Sequence, residues 1–347
     1  MKIFYISENQ NDGTNAGNKA RNDTEKILFS KKYFPVKGVK STNRLKHGNK
    51  LYFTINNINF LFRLKEIPTD SYVIVQYPFL MQYNNGKGWL DCSFVLRNLF
   101  KKNKVILLIH DIDELRFPKA RGSINDLNQA AYIISHNKKM TDYLIKKGID
   151  KNKIVNLGVF DYLIKKQNIY NHYNDKALLC YAGNLTKSQF IYNLPESVKE
   201  LGINLYGNGY IKNDPKLNYK GAFSSEKISS IIKGKYGLIW DGQISQTCND
   251  YSGNYLKYNN PHKLSMYLAA NMPIIIWDQA AESDFVKNNG LGITIKSLYE
   301  IPKRISKVSE QDYDQMNQAV QEMRQKIEKG YFLKAALDKI ESKIDEK

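Results

Sequence analysis

Short, continuously apolar segments alternating with helical patterns constrain this chain more than any other feature. In the first half the apolar segments fall at 2–6, 72–76, 105–111, 131–136 and 153–157, with helical stretches at 18–31, 51–64, 88–102 and 138–148. Strands that are apolar on both faces belong at the centre of a parallel sheet covered by helices. A polar segment without periodicity, Tyr162 to Asp175, interrupts the rhythm, which then restarts. Strands are expected at 177–182, 203–206, 236–241, 273–278 and 292–295. Helices are expected at 224–233, 261–270, 281–288, 297–307 and 310–328, and over the tail from Tyr331. The pattern predicts an N-terminal domain over 1–160, a linker over 161–175, a second domain over 176–328 and a C-terminal helix over 329–347. Ligands of open α/β sheets sit beyond the carboxyl ends of the strands. Function is therefore sought in the residues that follow each strand.

Composition narrows the classes. The chain has 347 residues, of which 42% are hydrophobic, enough for two cores. The N-terminal MKIFYISENQND turns polar after one short strand, unlike a secretory signal. No apolar run reaches the roughly 20 residues of a membrane span. A cytoplasmic protein with reduced thiols is the expectation, since Cys92, Cys180 and Cys248 form no zinc or CxxC pattern. The net charge of +18 supports three kinds of partner: nucleic acid, an anionic membrane touched peripherally, or a phosphorylated ligand. Nucleic-acid binding, with 24 tyrosines in its favour, needs a clustered basic groove with interleaved aromatics. Here the lysine pairs at 31–32, 101–102, 138–139, 146–147 and 165–166 mostly lie at expected helix ends, and those at 31–32, 101–102 and 146–147 fall at C-terminal ends, where they complement the dipole without a ligand.

The best local signal is Asn260-Pro261-His262-Lys263. Asn260 is expected as N-cap and Pro261 at the first helical position. A helix start suits a diphosphate, and a bound anion would explain Lys263 in a first turn where a cation is otherwise unfavourable. Gly183 and Asn184 form a turn after the first strand of the second domain, from which Lys187 could reach a phosphate. Asn218-Tyr219-Lys220-Gly221 offers an aromatic face for a uracil ring, and Tyr206-Gly207-Asn208-Gly209 reads as a structural turn. In the first domain Ala16 and Gly17 allow close approach, while Lys19 and Arg21 meet phosphates or face solvent. His110 and Asp111 end a strand where a general base is needed; alternatively His110 satisfies a backbone carbonyl. Ser135-His136-Asn137 closes the next strand. The Asp-x-Asp at 111–113 has the spacing of a metal-binding signature, which the two-domain pattern and the lysines argue against.

NAGNKARND (15–23), LLIHDIDELR (107–116), YAGNLTKSQF (181–190), YGLIWDG (236–242), YNNPHKLSMYLAANMPIII (258–276) and NNGLGITI (288–295) together span nearly the whole chain. In these segments the sequence resembles bacterial GT-B glycosyltransferases that glucosylate serine-rich-repeat adhesins, and galactofuranosyltransferases of surface-polysaccharide clusters. The resemblance implies two Rossmann-like domains facing each other across a cleft, a UDP-sugar substrate, no cofactor, no metal, no nucleic acid and a homo-oligomer. It implies donor contacts from Ala16, Gly17, Gly183, Asn184, Lys187, Tyr219, Lys220, Asn260, Pro261, His262, Lys263, Leu264 and Ser265. UDP-glucose transfer to GlcNAc on an adhesin is the favoured activity, with galactofuranosyl transfer as the alternative. The forms NAGNKARND and NNPHKL lean toward that alternative.

Overall fold

The computed structural model describes residues 2–8, 16–38, 50–79, 92–117, 120, 122–164, 176–211, 214–250 and 253–346. Its backbone clusters into two units. One comprises 1–11, 21–157 and 333–347; the other comprises 12–20 and 158–332. The boundary near 160 is close to the expected one. The differences are that 12–20 group with the second unit and that the tail from Leu333 belongs to the first. The start of the expected linker is built into the second core: Tyr162 is buried and its hydroxyl donates to the Ser225 carbonyl at 2.7 Å. Residues 165–175 lie outside the described residues.

The first unit contains β1 (Ile3–Ser7), α1 (Ala16–Ser30, of which 16–20 group with the second unit), β2 (Phe34–Lys37), α2 (Lys50–Leu64), β3 (Tyr72–Tyr77), α3 (Cys92–Lys102), β4 (Lys104–Ile109), α4 (Asp113–Arg116), α5 (Ser123–Gln129), β5 (Tyr132–Ser135), α6 (Lys138–Lys146) and β6 (Ile154–Asn156). Its strands run in the order β2-β1-β3-β4-β5-β6, every pair parallel. Val73, Val75, Val105, Leu107, Ile109 and Ile133 fill its core against helices, as strands covered on both faces must. The last helix of the chain closes this unit. Lys31 pairs with Asp338 and Glu341, and Tyr132 donates to the Lys343 carbonyl at 3.2 Å.

The second unit contains β7 (Leu179–Ala182), α7 (Glu196–Lys199), β8 (Ile203–Tyr206), β9 (Leu217–Tyr219), β10 (Tyr236–Ile239), α8 (His262–Ala269), β11 (Ile274–Trp277), α9 (Ser283–Asn288), β12 (Gly292–Ile295), α10 (Ile301–Ile305) and α11 (Glu310–Ile327); α12 (Tyr331–Asp345) follows. Its strands are ordered β12-β11-β10-β7-β8-β9 and are also all parallel. Ser309 and Asp312 form a reciprocal capping box that starts α11. The helix expected over 224–233 is only a one-turn segment at Ile228–Ser230. Ser230 spends its hydroxyl on the Lys227 carbonyl, the local competition that keeps serine from favouring helix interiors.

Each sheet has one place where successive connections leave in opposite directions. It lies between β1 and β3 in the first unit and between β7 and β10 in the second. Such reversals open a crevice outside the carboxyl ends of the strands.

Candidate functional site

At the reversal in the second unit, β7 ends at Ala182 and the chain turns through Gly183 and Asn184. The neighbouring loop after β8 nests against this turn. A Cβ on Gly207, whose φ is 132°, would sit 1.8 Å from the Gly183 carbonyl oxygen. One on Gly209 would sit 1.9 Å from Thr186 Oγ1. Glycine is required at both positions by space as well as by backbone conformation.

Lys263 lies alongside this turn. Its Nζ donates to Asp241 Oδ1 at 2.7 Å and stands 5.3 Å from the centre of the Tyr181 ring. A Cβ on Gly183 would come within 3.0 Å of Lys263 Cε, so the glycine also clears the path of the lysine stem. Burial opposes the ammonium charge, but the Asp241 carboxylate and the Tyr181 hydroxyl outweigh it and hold the group above its ordinary value. Asp241 itself follows β10 after Trp240, and the loop beyond is pinned by Asp250. That carboxylate accepts from the Gln243 N–H at 2.5 Å and the Gly253 N–H at 2.8 Å. Lysine and aspartate, 22 residues apart in sequence, thus meet at the mouth of the crevice with partly exposed heads.

The start of α8 differs from expectation in one respect. Asn260 is not the N-cap: its amide donates to the Gly158 carbonyl at 2.7 Å, and Pro261 occupies the cap position without a side-chain bond. The Asn side chain ties the helix entry to the strand-side chain instead. His262 stacks on Phe160, centroids 4.5 Å apart and planes 21° apart. Both its ring nitrogens are buried without a hydrogen-bond partner among the described residues. Burial, with the charge of Lys19 adding, pulls the imidazole down to about 4, so it is neutral at neutral pH. Leu264 belongs to the core, and Ser265 is buried and donates to the Phe160 carbonyl at 2.6 Å. The side chains of these two residues hold the helix in place.

Tyr219 is exposed and stacks on Tyr210 at 4.7 Å, which in turn stacks on Tyr192 at 6.0 Å. Its hydroxyl donates to the Gly207 carbonyl at 3.0 Å, joining this aromatic ladder to the nested loops. Lys187 and Lys220 are exposed, and Asn184 Oδ1 accepts from the Lys187 N–H at 3.1 Å. Ala16 opens α1 and Gly17 is exposed.

The reversal in the first unit is closed by its own charges. Arg21 donates to both Glu8 carboxylate oxygens, at 2.6 and 2.7 Å, and to the Pro78 carbonyl at 2.6 Å. Both partners are buried. Lys19, which groups with the second unit, is buried too, its Nζ donating to the Leu163 carbonyl of that unit at 2.6 Å above the Tyr162 ring. Neither of the two cations expected at a phosphate or in solvent is there, because each has a protein acceptor at hydrogen-bond distance. His110 Nε2 meets Gln76 Oε1 at 2.8 Å, a side-chain amide. Asp111 pairs with Arg116 at 2.7 Å, both groups partly exposed. His136, buried, bonds the Ile109 carbonyl, and Asn137 caps α6 by accepting from the Met140 N–H. Asp113 opens α4, and burial raises its carboxyl above the ordinary value. Among the described residues no group of His, Cys, Asp or Glu is placed to hold a metal ion.

The sequence reading missed Asp241, Tyr181 and Ser188, whose hydroxyl lies 2.5 Å from that of Tyr181. The available signal was an aspartate directly after a continuously buried strand at the point where the strand order reverses.

Two parallel-sheet α/β units, each with its strand reversal at the carboxyl ends of the strands, make up the GT-B fold. The Glucosyltransferase 3-like N-terminal domain model matches residues 3–159 and the Glucosyltransferase 3-like C-terminal domain model matches 179–340. The chain belongs to the Glucosyltransferase 3-like family. It is similar to the β-1,6-galactofuranosyltransferase WbbI of Escherichia coli strain K12, with 32% identity over 97% of this chain and 98% of that one. It is also similar to Glucosyltransferase 3 of Streptococcus parasanguinis, with 26% identity over 67% of this chain and 69% of that one. Among solved structures, sucrose-phosphate synthase of Thermosynechococcus elongatus shares the fold with a TM-score of 0.62 at 10% identity, covering 100% and 99% of the two chains. HepE of Anabaena, solved with UDP and glucose, does so with a TM-score of 0.55 at 10% identity over 99% of each chain.

Proposed function

We propose that the chain transfers a hexosyl group from a UDP-sugar to a hydroxyl of an acceptor glycan. The observation that carries this reading is the Lys263–Asp241 pair at the strand reversal of the second unit, 2.7 Å apart with both side chains partly exposed. A diphosphate arriving there takes up the ammonium charge that Asp241 holds in its absence. Lys187 and the first turn of α8, from Asn260 to Ser265, add charge and backbone N–H groups, the fixed electrostatic stabilisation that lowers barriers to leaving-group departure. Tyr219 and Lys220 hold the uridine, with Gly183 and Asn184 shaping the floor and Ala16 and Gly17 lining the approach. The acceptor oxygen bonds to the anomeric carbon as the bond from that carbon to the diphosphate breaks. The hydroxyl proton passes to a base, for which His110 and Asp111 are the candidates. UDP is the leaving group, and its charge is balanced by lysine without a metal or cofactor.

The sugar favoured is galactofuranose, because the similarity to a galactofuranosyltransferase runs the length of both chains. The second reading, glucosyl transfer to GlcNAc on a serine-rich adhesin, is favoured by the match to both Glucosyltransferase 3-like domain models. A cytoplasmic location and a homo-oligomer complete the reading. Thermal-shift titration against UDP-galactofuranose, UDP-glucose, UDP-galactose and UDP-GlcNAc tests it. The donor should stabilise the fold by about 2.7 kcal/mol at a hundredfold excess over its Kd. If no UDP-sugar raises the melting point, the donor site is misassigned. If UDP-glucose alone does, the glucosyl reading replaces the galactofuranosyl one.

A further inference from the structure

α2 carries two apolar stripes. Phe53, Asn57, Phe60 and Leu64 are buried toward the sheet. Leu51, Ile55, Ile58 and Phe62 repeat the same four-three-four spacing and are 38 to 59% exposed. With 3.6 residues per turn, the second set lies on roughly the opposite side of the helix. A helix of a globular protein needs one such stripe to join its core; this outward one is left exposed among the described residues. α3, which packs beside α2, adds Phe94 at 44% exposed.

The charge carried by α2 and α3 themselves is of one sign, with Asp70 beside their C-terminal end, its N–H donating to the Lys102 carbonyl at 2.8 Å. Neither α2 nor α3 contains an acidic residue. Lys50, Lys65, Arg97, Lys101 and Lys102 are exposed, and none pairs with a carboxylate among the described residues. Lys65 stands 4.7 Å over the Phe62 ring, so a cation sits directly at the apolar surface. Glu66 and Asp70 follow only after α2 has ended, and Asp91, ahead of α3, lies outside the described residues.

We propose that the outward stripe of α2, with the basic residues of α2 and α3 at its flank, docks this protein on an anionic lipid bilayer. Aliphatic and phenylalanine side chains enter the acyl boundary while lysine and arginine meet lipid phosphates, the division of labour of an interfacial amphipathic helix. A second copy of the chain seated symmetrically on this face would bring uncompensated cations against cations. The inference is independent of the donor-site reading.

The test is co-sedimentation of the full chain with vesicles rich in phosphatidylglycerol and with pure phosphatidylcholine vesicles. Binding to the anionic vesicles should be at least about tenfold tighter and should weaken with added salt. The double variant Ile58→Asp, Phe62→Asp should lose it by about a hundredfold, with unchanged circular dichroism and sedimentation coefficient. The triple variant Lys65→Glu, Lys101→Glu, Lys102→Glu touches no core residue and should lose it as well, which keeps the proposal testable if the apolar variant fails to fold. Failure of the wild-type chain to bind anionic vesicles overturns the proposal, as does equal binding to neutral ones or wild-type binding by the triple variant. A smaller sedimenting species for the apolar variant would also overturn it, because the stripe would then be a contact between copies.

Discussion

Each sheet places a cation at the point where its strand order reverses. In the first unit that cation is Arg21, donating to both oxygens of Glu8 and to the Pro78 carbonyl with all partners buried. In the second it is Lys263, held by one oxygen of Asp241, with both heads partly in solvent. Arginine's planar fork fills its acceptors with fixed geometry, whereas an ammonium on a flexible stem can exchange one partner for another. The same topological position is therefore a structural clasp in one unit and an available charge in the other. The location of the crevice follows from the strand order; whether it can take a ligand follows from how completely its charges are already paired.

Four substitutions and one solution condition can break or sharpen this contrast. Arg21→Met should cost about 3–5 kcal/mol of stability, because Glu8 is left buried without its cation. Chemical denaturation measures it, and a stable but inactive variant would move Arg21 from clasp to ligand. Lys263→Ala should lower kcat/KM for the donor by about a hundred- to a thousandfold, the scale of losing one preorganised charge contact. Its melting point should barely move, since Asp241 regains water; a large loss of stability would make the two crevices alike.

The neutral imidazole of His262 adds a pH dependence. Its value falls from 6.5 to about 4 on folding, so the unfolded chain binds the extra proton between those limits. Stability should drop as pH falls through that window by at most about 1.4 kcal/mol per unit. His262→Phe, which keeps the stack on Phe160, should flatten that part of the profile in denaturation at several pH values. Asp241→Asn should lower turnover by about tenfold, or 1.4 kcal/mol, with KM changed less than kcat, because the lysine loses its orientation but not its charge. Unchanged steady-state kinetics would reduce the aspartate to a bystander. Chelation with EDTA should leave turnover unaltered; a loss restored by a divalent ion would replace lysine with metal as the balancing charge.

The central strands were legible because runs such as YVIVQY and KVILLI need burial on both faces. Of the four edge strands, β6 and β12 were read and β2 and β9 were not. Phe34–Lys37 buries only Val36, and Leu217–Tyr219 buries only Leu217, so neither shows a continuous apolar run. Lys263 stood out by its place in a first helical turn, but its counter-charge did not, because no local pattern links residues 241 and 263. Lys19 and Arg21 misled for the same reason. A lysine or arginine at the start of a helix looks the same in sequence whether its acceptor is a phosphate or a buried carboxylate and carbonyl.

The final helix has a consequence for how the protein is made. Residues 333–345 leave the ribosome after all of the second unit, yet they carry Asp338 and Glu341 to Lys31 and the Lys343 carbonyl to Tyr132. Domains fold as units during synthesis when their sequence is contiguous. Here the unit begun first is the last to receive all its parts, so the first sheet, with all six strands made, waits without its closing helix through the synthesis of the second.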